Sequence, residues 1–293
     1  MKPKAGAESR KGSYIPTLDG WRAISIVLVI VSHALPGAPY LASLGTLGVS
    51  IFFAISGYLI CTLLLKEHER NGSISLGGFY MRRAFRILPP AMTYMAVLLI
   101  LGLAPMTDVT RCFFIAANYS VLASPYLGHF WSLSMEEHFY LFWPAILTLL
   151  RPRRAAIFAG FAIPVVLGWR LWALTHAQGG IFYHRTDVRL DAFFAPCLLA
   201  ILLHRSQRVQ QKLKQWLSPI TILGLAGLLA LTFFASRWDV RVEAVQKTLQ
   251  SLTIPLIVTG TVLNSGSWLG KLLEHCCPAK LSSNFVTVSE SAG

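Results

Sequence analysis

The sequence predicts an all-α polytopic membrane bundle of about eight transmembrane helices, on three observations. Hydrophobic residues make up 54% of the 293-residue chain and charged residues only 13%, with a mean hydropathy of +0.56. Several apolar runs approach the ~20 residues that a helix needs to cross a bilayer. Lys and Arg, which give a formal net charge of +13, fall mainly in short clusters between those runs, as the positive-inside rule expects. That placement sets nucleic-acid binding aside, because no continuous basic face is formed.

The first helix is expected from about Trp21 to Leu35, ended by Pro36, Gly37 and Pro39 in an uncharged outer turn. Within it Arg22 and His33 stand eleven residues apart. That is about three turns, which leaves them on nearly the same face and roughly 16 Å apart along the axis. An ionisable side chain in a membrane helix is a functional hypothesis in its own right. The second helix, about Leu47 to Leu65, ends in Lys66-Glu67-His68-Glu69-Arg70 and is followed by Arg82, Arg83 and Arg86, which places that connection in the cytoplasm. A third runs from Ile87 to Leu103. The stretch Cys112 to Ala123 is apolar but short, and charge assigns it as re-entrant or interfacial. Were it to cross, Arg151, Arg153 and Arg154 would lie outside; as a non-crossing segment it puts them, and every later basic cluster, inside. The remaining spans are Trp131 to Leu150, Ala155 to Leu174, Asp187 to Leu203, Leu217 to Ala235 and Thr248 to Leu263, with both termini cytoplasmic.

The expected organisation is a cytoplasmic tail over 1–16, one membrane domain over 17–273 and a polar tail without regular structure over 274–293. Lys2, Lys4, Arg10 and Lys11 precede the first apolar run with no small-residue cleavage site after it, the pattern of an uncleaved signal anchor. The five cysteines lack metal-ligand spacing, and Cys61 and Cys197 lie in apolar runs, so neither a metal site nor a disulfide framework is expected.

Five segments in order carry a family resemblance. They are Leu18-Asp19-Gly20-Trp21-Arg22 with His33, Gly48 to Ile60, Phe79-Tyr80-Met81-Arg82-Arg83-Ala84-Phe85-Arg86-Ile87-Leu88-Pro89-Pro90, Trp131-Ser132-Leu133-Ser134-Met135-Glu136-Glu137-His138-Phe139-Tyr140, and Thr186-Asp187-Val188-Arg189-Leu190-Asp191. Together they resemble the membrane-bound acyltransferase family 3 over about residues 16 to 272. The resemblance implies a bacterial inner-membrane enzyme that moves an acetyl or other short acyl group from acyl-CoA onto a hydroxyl, usually of a surface carbohydrate. Acyl-CoA would be a substrate, with no bound cofactor.

The residues can explain such a reaction. Activating a hydroxyl toward a thioester needs a base, and His33 is the candidate, since a neutral imidazole titrates near neutrality. Glu136, expected at the same outer depth, can orient or exchange a proton with it. Arg189 and Asp191 begin a later span at that level and join the expected acceptor site with Trp131 and Ser132. Arg82, Arg83 and Arg86, on the opposite, cytoplasmic side, can pair with the phosphates of CoA, and Arg22 can guide the donor. An extended pantetheine arm, on the order of 15 to 20 Å, matches the Arg22 to His33 separation. Blander readings stay open for each: His33 as a packing histidine, Glu136, Arg189 and Asp191 as interfacial helix-end charges, the arginine cluster as an orientation signal, and Trp131 as part of an aromatic belt. Gly48, Ser56 and Gly57 are expected to allow close helix approach.

The family resemblance also implies a Ser-Tyr-rich ninth helix and a tenth after Trp268-Leu269-Gly270, whereas this sequence continues Lys271-Leu272-Leu273-Glu274-His275-Cys276-Cys277-Pro278 and reads as C-terminally truncated. The rival classes are a non-catalytic transporter, with His33 and Glu136 on a proton path, and an inactive remnant of an acyltransferase.

Overall fold

In the computed structural model the described residues are 15–34, 39–174, 176, 182–235 and 240–275. They form an all-α bundle of ten helices: α1 Pro16–Ala34, α2 Pro39–Asn71, α3 Leu76–Ile100, α4 Met106–Phe113, α5 Phe130–Leu174, α6 Asp191–Arg205, α7 Gln207–Trp216, α8 Pro219–Ala235, α9 Val240–Leu263 and α10 Trp268–His275. The expected tail over 1–16 falls outside the described residues save for 15 and 16, and that over 274–293 save for Glu274 and His275, which extend α10.

The 45 residues of α5 would be about 68 Å long, over twice the ~30 Å apolar thickness of a bilayer. The helix breaks at Arg151 (φ 60°, ψ 160°), just before Pro152, where the sequence divides the region into two spans. By length and composition four helices can cross a membrane: Pro16–Ala34, Ser43–Asn71, Leu76–Ile100 and Pro125–Leu174. Arg241–Leu263 and Trp268–His275, bent by 94°, make a fifth if taken as one span. Eight spans is more than these criteria establish, because α6, with 15 residues, is only about 22 Å long. The segment from Cys112 to Ala123 holds the end of α4 and one 3-10 turn, Ala117–Tyr119, with Ile115 at φ 60° between them. It is too irregular to cross.

Boundaries shift where side chains cap what periodicity left open. α3 begins at Leu76, well before the expected Ile87, because Ser75 Oγ accepts from Gly78 N at 3.3 Å and the Ser75 N–H donates to Glu67 Oε1 at 2.9 Å. α7 is a short basic helix after Arg205, opened by Ser206, whose side chain accepts from Val209 N.

The core lies where α2, α5 and α6 meet. Phe139 stacks on Phe193 at 4.6 Å, Phe193 lies 4.6 Å from Phe53, and Trp143 closes the layer below them. α6 comes close because Gly57 has no side chain: a Cβ there would stand 2.7 Å from Pro196 Cγ and 3.0 Å from Phe193 O. Gly48 does the same for α1, where a Cβ would lie 2.7 Å from Ser25 O. By contrast, α3 buries only Phe79, Met95 and Leu98 and exposes Met81, Phe85, Leu88 and Met92. Broad exposed apolar faces of this kind suit contact with lipid.

Candidate active site

Arg22 and His33 share one unbroken helix, as their spacing predicted. Arg22 Nη1 donates to Asp19 Oδ1 at 2.6 Å, one turn back, and is only partly buried. His33 sits in the last turn. Its Nδ1 lies 2.8 Å from Val29 O. A carbonyl can only accept, so Nδ1 carries the hydrogen, and in the neutral ring the lone pair is on Nε2.

Two expectations about His33, that it lies within the bundle and that it pairs with Glu136, are corrected. His33 is exposed rather than enclosed in the bundle. Nor, among the described residues, does it hydrogen-bond or ion-pair with Glu136; His129, which precedes α5, lies within electrostatic reach of it. The physical reason is that Glu136 is already engaged. Ser56 Oγ and Tyr140 Oη both donate to its Oε1, the latter at 3.2 Å, and it lies within electrostatic reach of Arg83 and Arg86.

The expectation that Glu136 and the arginine cluster occupy opposite sides is therefore also corrected. Arg86 is ten residues into α3, about 15 Å, and Glu136 six residues into α5, about 9 Å. Together these depths nearly use up the ~30 Å thickness, and a long Arg side chain closes the rest. Arg83 lies over the Tyr140 ring, 4.2 Å from its centroid. Arg82 and Arg86 are exposed and make no ion pair among the described residues. Beside Arg83 a cavity of about 310 Å³ opens between α3, α4 and α5. Ile87, Leu88, Met92, Phe113 and Leu133 line most of it, while Arg83, Ser134, Glu137 and Tyr140 supply polar atoms. Glu137 Oε1 is buried without a hydrogen-bond partner.

The second polar cluster forms where the α5 to α6 connection folds over α2 and α9. Arg189 is buried, its Nη2 donating to Ser50 Oγ at 3.0 Å and its guanidinium 5.6 Å from the Trp131 ring. His184 stacks on Trp131 with centroids 4.5 Å apart. Burial, with the charges of Arg189 and Lys247, pushes His184 down to about 4. Asp191 is expected to face substrate, yet both its oxygens are taken: Arg170 Nη2 donates to them at 2.7 and 2.8 Å, and Thr248 Oγ1 donates to Oδ2 at 2.9 Å. Ser132 Oγ donates to His129 O in its own first turn and not to Glu136. Nearby, Thr186 Oγ1 joins Asn118 Nδ2 at 2.7 Å and His138 Nδ1 at 2.8 Å.

α2 carries both clusters on successive positions: Ser50 holds Arg189, Phe53 packs on Trp131 and Phe193, and Ser56 holds Glu136. Ser56 was expected only to ease helix packing, Tyr140 was read only as part of a motif block, and Arg170, Lys247 and Thr248 were not singled out. Arg170 had a readable signal, a lone cation within the apolar run 155–174. Among the described residues no group of three His, Cys, Asp or Glu side chains is arranged to hold a metal ion.

The chain is similar to O-acetyltransferase OatA of Staphylococcus aureus strain NCTC 8325, 31% identical over 254 residues that cover 77% of this chain and 41% of that protein. The OatA of strain COL matches to the same extent. Protein SACOL0978 of strain COL is 34% identical over 229 residues, 69% of this chain and 37% of its own. The chain thus spans about two fifths of the length of these relatives. No solved structure matches. A family model described as an acyltransferase domain matches residues 15–269, so nearly the whole helical bundle is accounted for, and the chain belongs to the membrane-bound acyltransferase family 3.

Proposed function

We propose that this chain is the membrane core of an O-acyltransferase that moves an acetyl or other short acyl group from acyl-CoA to a hydroxyl of a carbohydrate or related acceptor. It would work in a bacterial inner membrane with its N-terminus in the cytoplasm. The observation that carries the reading is the tautomer of His33: with Nδ1–H committed to Val29 O, Nε2 is a free base at the end of a helix whose same face bears Arg22. The OatA relatives, named O-acetyltransferases, support the reaction class.

In this reading His33 Nε2 takes the proton of the acceptor hydroxyl as its oxygen attacks the thioester carbon. The C–O bond forms, the C–S bond breaks, and the thiolate of CoA leaves and recovers the proton from the imidazolium. Arg82 and Arg86, exposed and without carboxylate partners among the described residues, hold donor phosphates. Arg83 and Glu136 with Ser56 and Tyr140 keep the donor arm's polar atoms between them, and the apolar cavity beside Arg83 accommodates its less polar part.

The test is acyl transfer from radiolabelled acetyl-CoA by the full chain in proteoliposomes offered soluble saccharides. Wild type transfers label and His33→Ala retains under a hundredth of the rate with correct insertion. Transfer at the wild-type rate in His33→Ala removes the base from this reading, and proton flux without any transfer by wild type favours the transporter.

A further inference from the structure

Arg170 and Arg189 lie within electrostatic reach of each other, both buried, and only one of them is neutralised. Arg170 closes on Asp191 and also donates to Val188 O, Ala244 O and Thr248 Oγ1. Arg189, 3% exposed, makes one side-chain hydrogen bond among the described residues, to Ser50, and otherwise faces the rings of Phe53 and Trp131. Among the described residues no carboxylate lies within ion-pair distance of it. The ion pair of Lys247 among the described residues is with Glu243, at a loose 3.9 Å, and its amine stands 5.9 Å from the Tyr183 ring. Among the described residues, three cations, Arg170, Arg189 and Lys247, thus share two carboxylates, Asp191 and Glu243, one positive charge more than the negative charges beside them. His184, on Trp131, senses the charges of both Arg189 and Lys247, so these act on one small volume. A buried charge left without a counter-charge is costly, and guanidinium has four more N–H groups here than its one bond uses.

We propose that the buried cluster of Trp131, His184, Arg189 and Lys247 binds the anionic group of the acceptor, a carboxylate or a phosphate, so that the preferred hydroxyl substrate is an acidic saccharide. The inference rests on the acyltransferase reading and narrows its acceptor. Ser50, which holds Arg189, is two residues from Gly48, and Gly48 faces Ser25 and Val29 of α1. Ser25 lies eight residues before His33, roughly 12 Å along the helix, about the length of a disaccharide's reach from an anchored anion to a base.

The test is equilibrium binding of glucuronate, glucose 6-phosphate and glucose to the full chain in neutral-lipid nanodiscs, with acetyl-CoA binding measured beside them. Glucuronate or glucose 6-phosphate should bind at least tenfold tighter than glucose, and whichever does identifies the anion as carboxylate or phosphate. Arg189→Gln and Lys247→Met should each weaken that acid ten- to a hundred-fold and leave acetyl-CoA affinity unchanged. Arg208→Gln on the exposed face of α7 controls for overall charge and should change neither. If Arg189→Gln does not insert, Arg189→Lys and Lys247→Met decide the matter. Equal affinity for glucose overturns the proposal, as does loss of acetyl-CoA binding in Arg189→Gln, which would make the cluster a donor site. Acid binding that obeys these variants in a chain that never transfers acyl groups would sink the acyltransferase reading and leave the anion site standing.

Discussion

Along the seam that α6 makes with α2, α5 and α9, Arg170 and Asp191 are both fully enclosed and close on each other through two hydrogen bonds. At the exposed rim, on α1 and on α3, His33, Arg82 and Arg86 are exposed and make no ion pair among the described residues. Arg22 there bonds to Asp19 of its own helix. The same charged residue types thus do different work in the two places. In the seam a charge tolerates burial only by spending its hydrogen bonds internally, which joins three helices and leaves little for a ligand. On the rim the donors stay available. Arg189 departs from both, since it is buried like the seam and unpaired like the rim.

Removing one half of the seam pair is the strongest way to break this comparison. Arg170→Met leaves Asp191 enclosed without its cation and should cost about 3–5 kcal/mol of stability, read from thermal or denaturant unfolding in detergent. Replacing both partners, Arg170→Met with Asp191→Leu, should recover much of that loss, because two apolar groups need no counter-charge. A loss below about 1 kcal/mol in the single variant would mean that water reaches Asp191 and that the seam is not closed.

The rim responds in a different measurement. Arg82→Gln with Arg86→Gln should leave the unfolding midpoint unchanged and weaken acetyl-CoA binding ten- to a hundred-fold, roughly 1.5–3 kcal/mol. Unaltered donor affinity, with insertion confirmed, would reduce both arginines to signals of membrane orientation.

Glycines draw the same line without charge. Gly57→Ala in the seam would place a Cβ against the Pro196 ring and Phe193 O, and should cost about 1–3 kcal/mol as α6 is forced away. Gly77→Ala near the start of α3, where nothing lies within 4 Å, should be neutral or stabilise by up to about 1 kcal/mol through helix propensity. Comparable costs at both sites would show that α3 packs as tightly as α6.

What the sequence made legible follows the same division. The helices, the break at Arg151-Pro152 and the shared face of Arg22 and His33 are local patterns, written in periodicity and in proline. The seam is not local: Ser56 meets Glu136 across 80 positions, and Arg170 meets Thr248 across 78. No spacing rule joins such residues. The depth of Glu136 was misplaced because helix ends were treated as two flat interfaces, whereas α2 runs for 33 residues and carries Ser56 well inside the bundle. Arg170 is the residue that a stricter reading would have found, because a lone cation in an apolar run demands a partner even when the partner cannot be named.

The smallest expected effect concerns acid, and it tests whether the unpaired charge beside the seam is real. His184 is held down to about 4 by burial first, and then by Arg189 and Lys247, against about 6.5 when unfolded. Between those values the unfolded chain binds a proton that the folded chain refuses. Stability contributed by this group is therefore unaffected above about pH 6.5, falls as the pH drops toward 4, and falls no further below that. His184→Gln should flatten this limb of the unfolding midpoint measured against pH. Arg189→Gln should shorten it, ending the fall at a higher pH and with a smaller loss, since removing the neighbouring charge lets the imidazole accept its proton more easily in the folded state. An acid limb identical in Arg189→Gln and wild type would mean that the guanidinium charge is neutralised after all, and Arg189 would then belong to the seam.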